Sequence, residues 1–280
     1  MRGPHVLFIV SLASAAIAPA FAAEIALNAP GSLRPPFEAL LPDFEKRSGH
    51  KIKAAWGSAG AARERVMKGE PFDVSILQPP TDIAVASGNI LKNSERPIAS
   101  IPVGVAFKAG AAKPDVSSAE ALKATLLVAK SIAALDPASG SAAGVIFEQT
   151  LAKLGVASEV KPKVRIAQGG RGAMELVAKG EAEIGLTFIS EIIGEPGVAA
   201  AGPLPREVAA PIQLVAFMSS RTKDVAPARD LVIFLSGEDA AKVYRERGMQ
   251  PARRLPSRRS TLTIRRSERE GRSEEHTSEL

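Results

Sequence analysis

The sequence predicts an α/β fold built on largely parallel sheets. Three observations carry this. Apolar residues recur at strand spacing and then at helix spacing, repeatedly, along residues 24–248, the mark of strand–helix alternation. Small-residue clusters punctuate four of the strand-to-helix turns: Pro30-Gly31-Ser32, Gly57-Ser58-Ala59-Gly60, residues 136–144 and Gly169-Gly170-Arg171-Gly172. The 280 residues are 45% hydrophobic but only 4% aromatic, so the chain can bury a core made mostly of aliphatic side chains. No repeat of 20–50 residues is visible.

Residues 24–28 alternate as a strand. Ser32 is expected to cap a helix in which Pro35 and Pro36 occupy the first turn and Phe37, Leu40, Leu41 and Phe44 recur on one face. Ser48-Gly49 ends it. A strand over 51–56 leads to Ser58, the cap of a helix carrying Val66 and Met67 and stopped by Gly69. Residues 72–77 read as a buried strand, and Pro79-Pro80-Thr81-Asp82 opens a short helix. Residues 101–108 read as one apolar strand. A helix opened by Ser117 or Ser118 runs through Leu122, and a strand over 131–135 enters the Asp136-Pro137 turn. Ser141 caps a long helix closed by Gly155. A strand over 164–167, a helix over 172–179, strands over 183–189 and 211–219, and helices over 227–235 and 237–247 complete the body.

Charge and composition exclude several functions. The formal net charge is +6, but basic residues are scattered, with no basic helix and no interleaved aromatics of the kind nucleic-acid binding needs. The chain has no cysteine, which rules out disulfides, thiolate metal sites and cysteine nucleophiles. No metal ion held by protein ligands and no cofactor is expected.

The N-terminus reads as a secretory signal over 1–22: a short basic start at Arg2, an apolar run over 6–18, and an Ala20-Phe21-Ala22 cleavage site. The run is too short to span a bilayer, which takes ~20 residues. The mature chain is expected to be exported. The segment 257–280 loses apolar periodicity, and its last nine residues resemble translated sequencing-adapter read-through. It is expected to be an artefactual or disordered tail, and no function is placed on it.

The four clusters carry the chemistry. A helix start leaves N–H groups unpaired at the positive end of the helix dipole. Gly, Ala and Ser leave those groups uncovered, so several converging starts make an anion site without a metal or a buried Lys. In open α/β sheets such sites lie at the carboxyl ends of the strands. Taken alone, Ser32 and Ser58 are equally readable as ordinary caps, and Gly170 as a residue permitting a tight turn.

Catalysis is poorly supported. Of three His, His5 lies in the signal and His276 in the tail; His50 sits in a Ser48-Gly49-His50-Lys51 turn that reads as exposed. There is no Gly-x-Ser-x-Gly elbow and no Gly-Lys-Ser/Thr phosphate loop. Asp73, at the start of a buried strand, is expected to cap a neighbouring helix.

Residues 25–251 resemble the periplasmic molybdate-binding protein family, the binding components of ABC importers. The segments that carry the likeness are Ala29-Pro30-Gly31-Ser32-Leu33, Trp56-Gly57-Ser58-Ala59-Gly60, Phe72-Asp73-Val74-Ser75, Asp136-Pro137-Ala138-Ser139, Gly180-Glu181-Ala182-Glu183-Ile184-Gly185, Ile189-Ser190-Glu191-Ile192 and the closing stretch 245–251. The resemblance implies a two-lobe periplasmic-binding-protein fold (type 2), each lobe a mostly parallel sheet flanked by helices, joined by two hinge strands. One lobe would hold 24–103 plus 213–256, the other 104–212. It implies a small oxyanion, molybdate or tungstate, bound in the cleft of a monomeric periplasmic protein that delivers it to a membrane ABC permease. The family's two hydroxyl ligands fall on Ser32 and Ser58. Its backbone donors fall near Ala142 or Ala143, with Ser141 beside them, and near Gly170. Its tyrosine falls on Phe188, which cannot donate a hydrogen bond. A small organic acid is the alternative ligand, since an apolar ring suits a hydrocarbon-bearing molecule; a ligand-sensing domain of the same fold is the other non-enzymatic reading.

Overall fold

The computed structural model describes residues 22–252. The expected tail and, apart from Ala22, the expected signal lie outside the described residues. The body begins with β1 (Glu24–Pro30), a 3-10 turn (Gly31–Leu33), α1 (Arg34–Ser48), β2 (Lys51–Gly57), α2 (Ala59–Lys68), β3 (Val74–Leu77) and α3 (Asp82–Ala86). It continues through β4 (Arg96–Ile101), β5 (Val103–Lys108), α4 (Ala119–Val128), β6 (Ile132–Leu135), a 3-10 turn (Pro137–Ser139), α5 (Ala142–Leu154) and α6 (Ala157–Val160). Then come β7 (Val164–Ala167), α7 (Gly169–Lys179), β8 (Ile184–Phe188), α8 (Ile189–Ile192), β9 (Val198–Pro203), β10 (Ile212–Met218), α9 (Val225–Leu235), α10 (Glu238–Glu246) and β11 (Gln250–Pro251).

These strands form two sheets, each flanked by helices. The first has the order β11-β4-β10-β3-β1-β2, the second β7-β6-β8-β5-β9. Both are mixed. In the first, β1 pairs in parallel with β2 and β3, while β10 and β4 run antiparallel. In the second, β6 pairs in parallel with β7 and β8, while β5 runs antiparallel to β8 and β9. The parallel parts are those whose strands feed helices through the small-residue turns, as a crossover connection requires.

The chain passes from the first sheet to the second at Pro102, between β4 and β5, and returns between β9 and β10. The strand expected over 101–108 is β5 from Val103 onward, while Ile101 ends β4, a strand of the other sheet that was not expected. Pro102 has no N–H to give to a ladder, and its carbonyl accepts from the N–H of Ile189 at 3.0 Å.

The core follows the periodicity. Ile25, Leu27 and Ala29 of β1 pack with Leu33, Phe37, Leu40 and Phe44, all buried; each large side chain so placed contributes roughly 1.5–3 kcal/mol. α10 closes the first lobe. Its Tyr244 is fully buried and donates from its hydroxyl to the Leu235 carbonyl at 2.9 Å, which satisfies the one polar atom that burial would penalise. β9 was not expected, because its Val-Ala-Ala-Ala-Gly-Pro sequence has little strand propensity of its own. It is held by pairing with β5.

Candidate ligand-binding site

Each of the six residues singled out from sequence sits at or just past the carboxyl end of a parallel-paired strand: Ser32 after β1, Ser58 after β2, Ser141 and Ala143 after β6, Gly170 after β7, and Phe188 at the end of β8. The turns they occupy face one another across the gap between the sheets.

Ser58 behaves as expected locally. It is the N-cap of α2, and its Oγ accepts from the Ala61 N–H at 3.1 Å. α2 is fixed on the sheet by a buried polar knot that the sequence did not reveal. The Asn28 amide donates to the Ala62 carbonyl at 2.8 Å and to Ser75 Oγ at 3.0 Å, and Asn28 Oδ1 accepts from Arg65 at 3.1 Å.

Ser32 is a correction. It lies inside the 3-10 turn, and α1 begins after it at Arg34 with no side-chain cap. Its hydroxyl is thus not spent on a helix end. Ser32 is buried, and its Oγ accepts a long 3.4 Å bond from Gln78 Nε2. Ser141 does cap its helix, accepting from the Gly144 N–H at 3.2 Å, and Ala143 is buried in the first turn of α5.

α7 starts at Gly169, three residues ahead of the expected Gly172, so Gly170 stands in its first turn. A Cβ on Gly170 would overlap the Glu191 carboxyl, which would have to move aside. Glu191 belongs to α8, a one-turn helix that was not expected; the strand expected over 183–189 overlaps it only at Ile189. The Glu191 Oε2 accepts from Thr187 Oγ1 at 2.6 Å, and the Phe188 N–H also points to it. Enclosure of the carboxyl raises its pKa from 4.5 to about 7; those hydrogen bonds oppose the rise without cancelling it. Phe188, at the end of β8, is buried and belongs to the hydrophobic core.

Three contacts join the lobes at this site. Ser58 Oγ donates to the Ser139 carbonyl at 3.0 Å. The Gly60 N–H donates to the Gly140 carbonyl at 3.0 Å. Ser190 Oγ donates to the Ser32 carbonyl at 2.6 Å. The starts of α2 and α5 therefore meet on one side of the cleft, and the 3-10 turn of Ser32 meets α8 on the other.

Two further expectations change. His50 is buried, not exposed: its Nδ1 accepts from the Ala23 N–H at 3.1 Å and its ring leans on Phe44. Asp73 caps no helix; it accepts from the Ala26 N–H at 2.8 Å and from Thr222 Oγ1 at 2.5 Å. Both residues lie away from the cleft. The cavity beside Asp73, about 490 Å³ and also lined by Phe72, Arg221 and Pro227, is at the amino end of β1, opposite the helix starts. Among the described residues no cluster of His, Cys, Asp and Glu could hold a metal ion, and no helix is long and apolar enough to cross a membrane.

Two lobes of this topology, with helix starts converging in the gap, define a solute-binding protein. Comparison with known proteins agrees. Residues 25–250 match the family model described as bacterial extracellular solute-binding protein, and the chain belongs to that family. Among curated relatives, the aconitate isomerase of a Pseudomonas species is 31% identical over 222 residues, covering 77% of this chain and 83% of that protein. The molybdate-binding protein ModA of Azotobacter vinelandii is 27% identical over 232 residues, covering 81% and 90%. The solved periplasmic molybdate-binding protein of Azotobacter vinelandii superposes with a TM-score of 0.68 at 20% identity, covering 83% of this chain and 100% of that one, which establishes the two-lobe α/β fold.

Proposed function

We propose that this chain is the periplasmic solute-binding component of an ABC importer, and that its lobes close around a small carboxylic acid. The observation that carries the reading is the meeting of the two lobes through helix starts, at Ser58–Ser139 and Gly60–Gly140. Neutral donors and helix dipoles spread over an anion's charge without cancelling it by a Lys, which suits a ligand that must be released to a membrane permease. Ser32 and Ser141 supply hydroxyls, Ala143 and Gly170 backbone donors and Phe188 an apolar wall, while Ser58, whose hydroxyl proton goes to the Ser139 carbonyl, ties the lobes together over the ligand. The protein acts as a monomer.

A carboxylic acid is preferred because of Phe188. A tetrahedral dianion needs a donor on every side, and the buried Phe188 ring offers none. A carbon skeleton finds apolar contact there. The 31% identical relative carries a name that points to a carboxylate ligand. Molybdate or tungstate is the second reading, favoured by the order of the turn segments and by the relatives named for molybdate.

Binding rather than turnover is the reading for the cleft, because its one enclosed carboxyl, Glu191, is paired with Thr187 and no Ser–His or Cys–His pair stands beside it among the described residues. Isothermal titration of the exported chain with malate, citrate, trans-aconitate, molybdate, tungstate and sulfate tests this. Heat with an acid, lost in a Ser32→Ala plus Ser58→Ala double variant, is the expected result. Tight molybdate binding with no response to any acid selects the second reading. Interconversion of cis- and trans-aconitate, followed by NMR, would replace the binding reading with catalysis.

A further inference from the structure

Gln78 follows the last residue of β3 and is 2% exposed. Its Nε2 reaches Ser32 Oγ only at 3.4 Å, and its Oε1 has no hydrogen-bond partner. An unpaired buried carbonyl costs roughly 1–3 kcal/mol, and Leu or Met would fill the same space without that cost. β3 is central in its sheet, between β10 and β1, so its carboxyl end opens beside Ser32. The Ser32 carbonyl is in turn the acceptor for Ser190 of the other lobe. An amide held between the sheet and the lobe contact, with one end unmatched, belongs to a molecule that supplies the match.

The chemistry of that match is specific. With Nε2 turned to Ser32, the Ser32 hydroxyl proton is free to be given away and Gln78 Oε1 is free to accept. The pair then offers one donor and one acceptor side by side. A carboxylate oxygen takes the first; a ligand that carries a donor satisfies the second, and on a small carboxylic acid without nitrogen that donor is a hydroxyl. A bare oxyanion or an unsubstituted dicarboxylate has no such proton.

We infer that Gln78 is a ligand-contacting, specificity-determining residue that accepts a hydrogen bond from a hydroxyl on the bound acid, so that the ligand class is a small hydroxy acid. The inference rests on the carboxylic-acid reading above and narrows it. Gln78, just past β3, and Ser32, in the 3-10 turn that follows the neighbouring strand β1, act as one unit, the serine addressing the carboxylate and the amide addressing the hydroxyl.

Two acid pairs that differ by one hydroxyl test it: malate against succinate, and citrate against tricarballylate. Each is titrated calorimetrically into the full exported chain and into Gln78→Leu, with Gln78→Met as a second variant of similar volume. Wild type is expected to prefer the hydroxylated member of at least one pair by tenfold or more. In Gln78→Leu that ratio falls towards one while the melting temperature is unchanged or higher, because the unpaired carbonyl is gone. A structural role would move the melting temperature down and leave the ratio alone. Equal affinity for both members in wild type means the amide presents its NH2 end, and overturns the inference. So does a ratio that survives in both variants. If wild type binds none of the four acids, the carboxylic-acid reading itself falls, an outcome distinct from an unchanged ratio.

Discussion

The Ser58 hydroxyl donates to the Ser139 carbonyl at 3.0 Å while accepting from the Ala61 N–H at 3.1 Å. One oxygen therefore starts a helix in one lobe and closes on the backbone of the other. The two roles separate by substitution. Ser58→Ala loses both, and the lost cap alone costs about 1 kcal/mol of stability. Ser58→Gly costs only a few tenths through the cap but still loses the bridge. Both variants should bind ligand about tenfold more weakly, as expected for ~1.4 kcal/mol, while only Ser58→Ala melts clearly lower. Calorimetric titration and thermal melts report the two effects independently.

Gly60 and Gly140 meet backbone to backbone. A Cβ on Gly60 would lie 3.0 Å from Gly140 Cα and 3.3 Å from its carbonyl oxygen, atoms that cannot rotate away. Gly60 is itself helical, in the first turn of α2, where Ala is preferred over Gly by up to about 1 kcal/mol. Gly60→Ala should therefore melt no lower than wild type yet bind ligand at least tenfold more weakly. Small-angle scattering with saturating ligand should show the variant failing to compact as far as wild type. Full compaction and full affinity would mean that the glycine contact is incidental.

The parallel halves of both sheets, and the turns that follow them, were legible because each turn needs small residues and each helix start advertises its cap. Ser58 and Ser141 followed from that rule directly. Ser32 did not obey it: the Pro30-Gly31-Ser32 turn tightens into a 3-10 segment before α1, which takes the serine off the helix end and leaves its hydroxyl available. The antiparallel halves were harder. The break at Pro102 lies inside a continuous apolar run, and β9 is nearly all alanine and glycine, so partner strands rather than local propensity decide them. Gln78 and Glu191 were missed for a shared reason. Each is an isolated polar residue in or beside a short apolar element, Gln78 just past β3 and Glu191 in α8, and no periodicity marks it. A Gln between Ile76-Leu77 and Pro79-Pro80 was the available signal. Only the packing shows that both carry their polar atoms inward.

Glu191 makes stability depend on pH. Its pKa is about 7 in the folded chain against 4.5 for the ordinary group. Between these values the folded protein keeps a proton that the unfolded chain has released, so stability falls as pH rises from about 4.5 to about 7 and levels off above. The gap sets a ceiling of about 3 kcal/mol. Charged neighbours do not relieve it: Arg171 on α7 lies near Glu175 at 3.5 Å, Arg34 on α1 lies over Trp56, and the Arg247 guanidinium donates to the Ile193 carbonyl. Urea unfolding at pH 5 and pH 8 should show Glu191→Gln gaining on wild type at the higher pH. Ligand affinity should weaken over the same range in wild type only, since an ionised Glu191 beside Gly170 repels an anion. Parallel pH profiles for the two proteins would refute the assignment.

Phe188 decides between the two ligand readings. Its ring is 5% exposed at the end of β8, at the position where the resemblance implies a tyrosine. Phe188→Tyr adds one hydroxyl at that corner and little volume. If the ring packs against the carbon skeleton of an acid, the new hydroxyl meets apolar surface or goes unpaired. Affinity for the acid should then fall by about tenfold or more, in keeping with the ~1–3 kcal/mol cost of an unsatisfied polar group. If the corner holds an oxyanion oxygen, the same hydroxyl supplies a missing donor, and molybdate affinity should rise by a similar factor. Because the two readings predict opposite signs from one substitution, titrating Phe188→Tyr with malate and with molybdate separates them. The carboxylic-acid reading requires the first loss without the second gain.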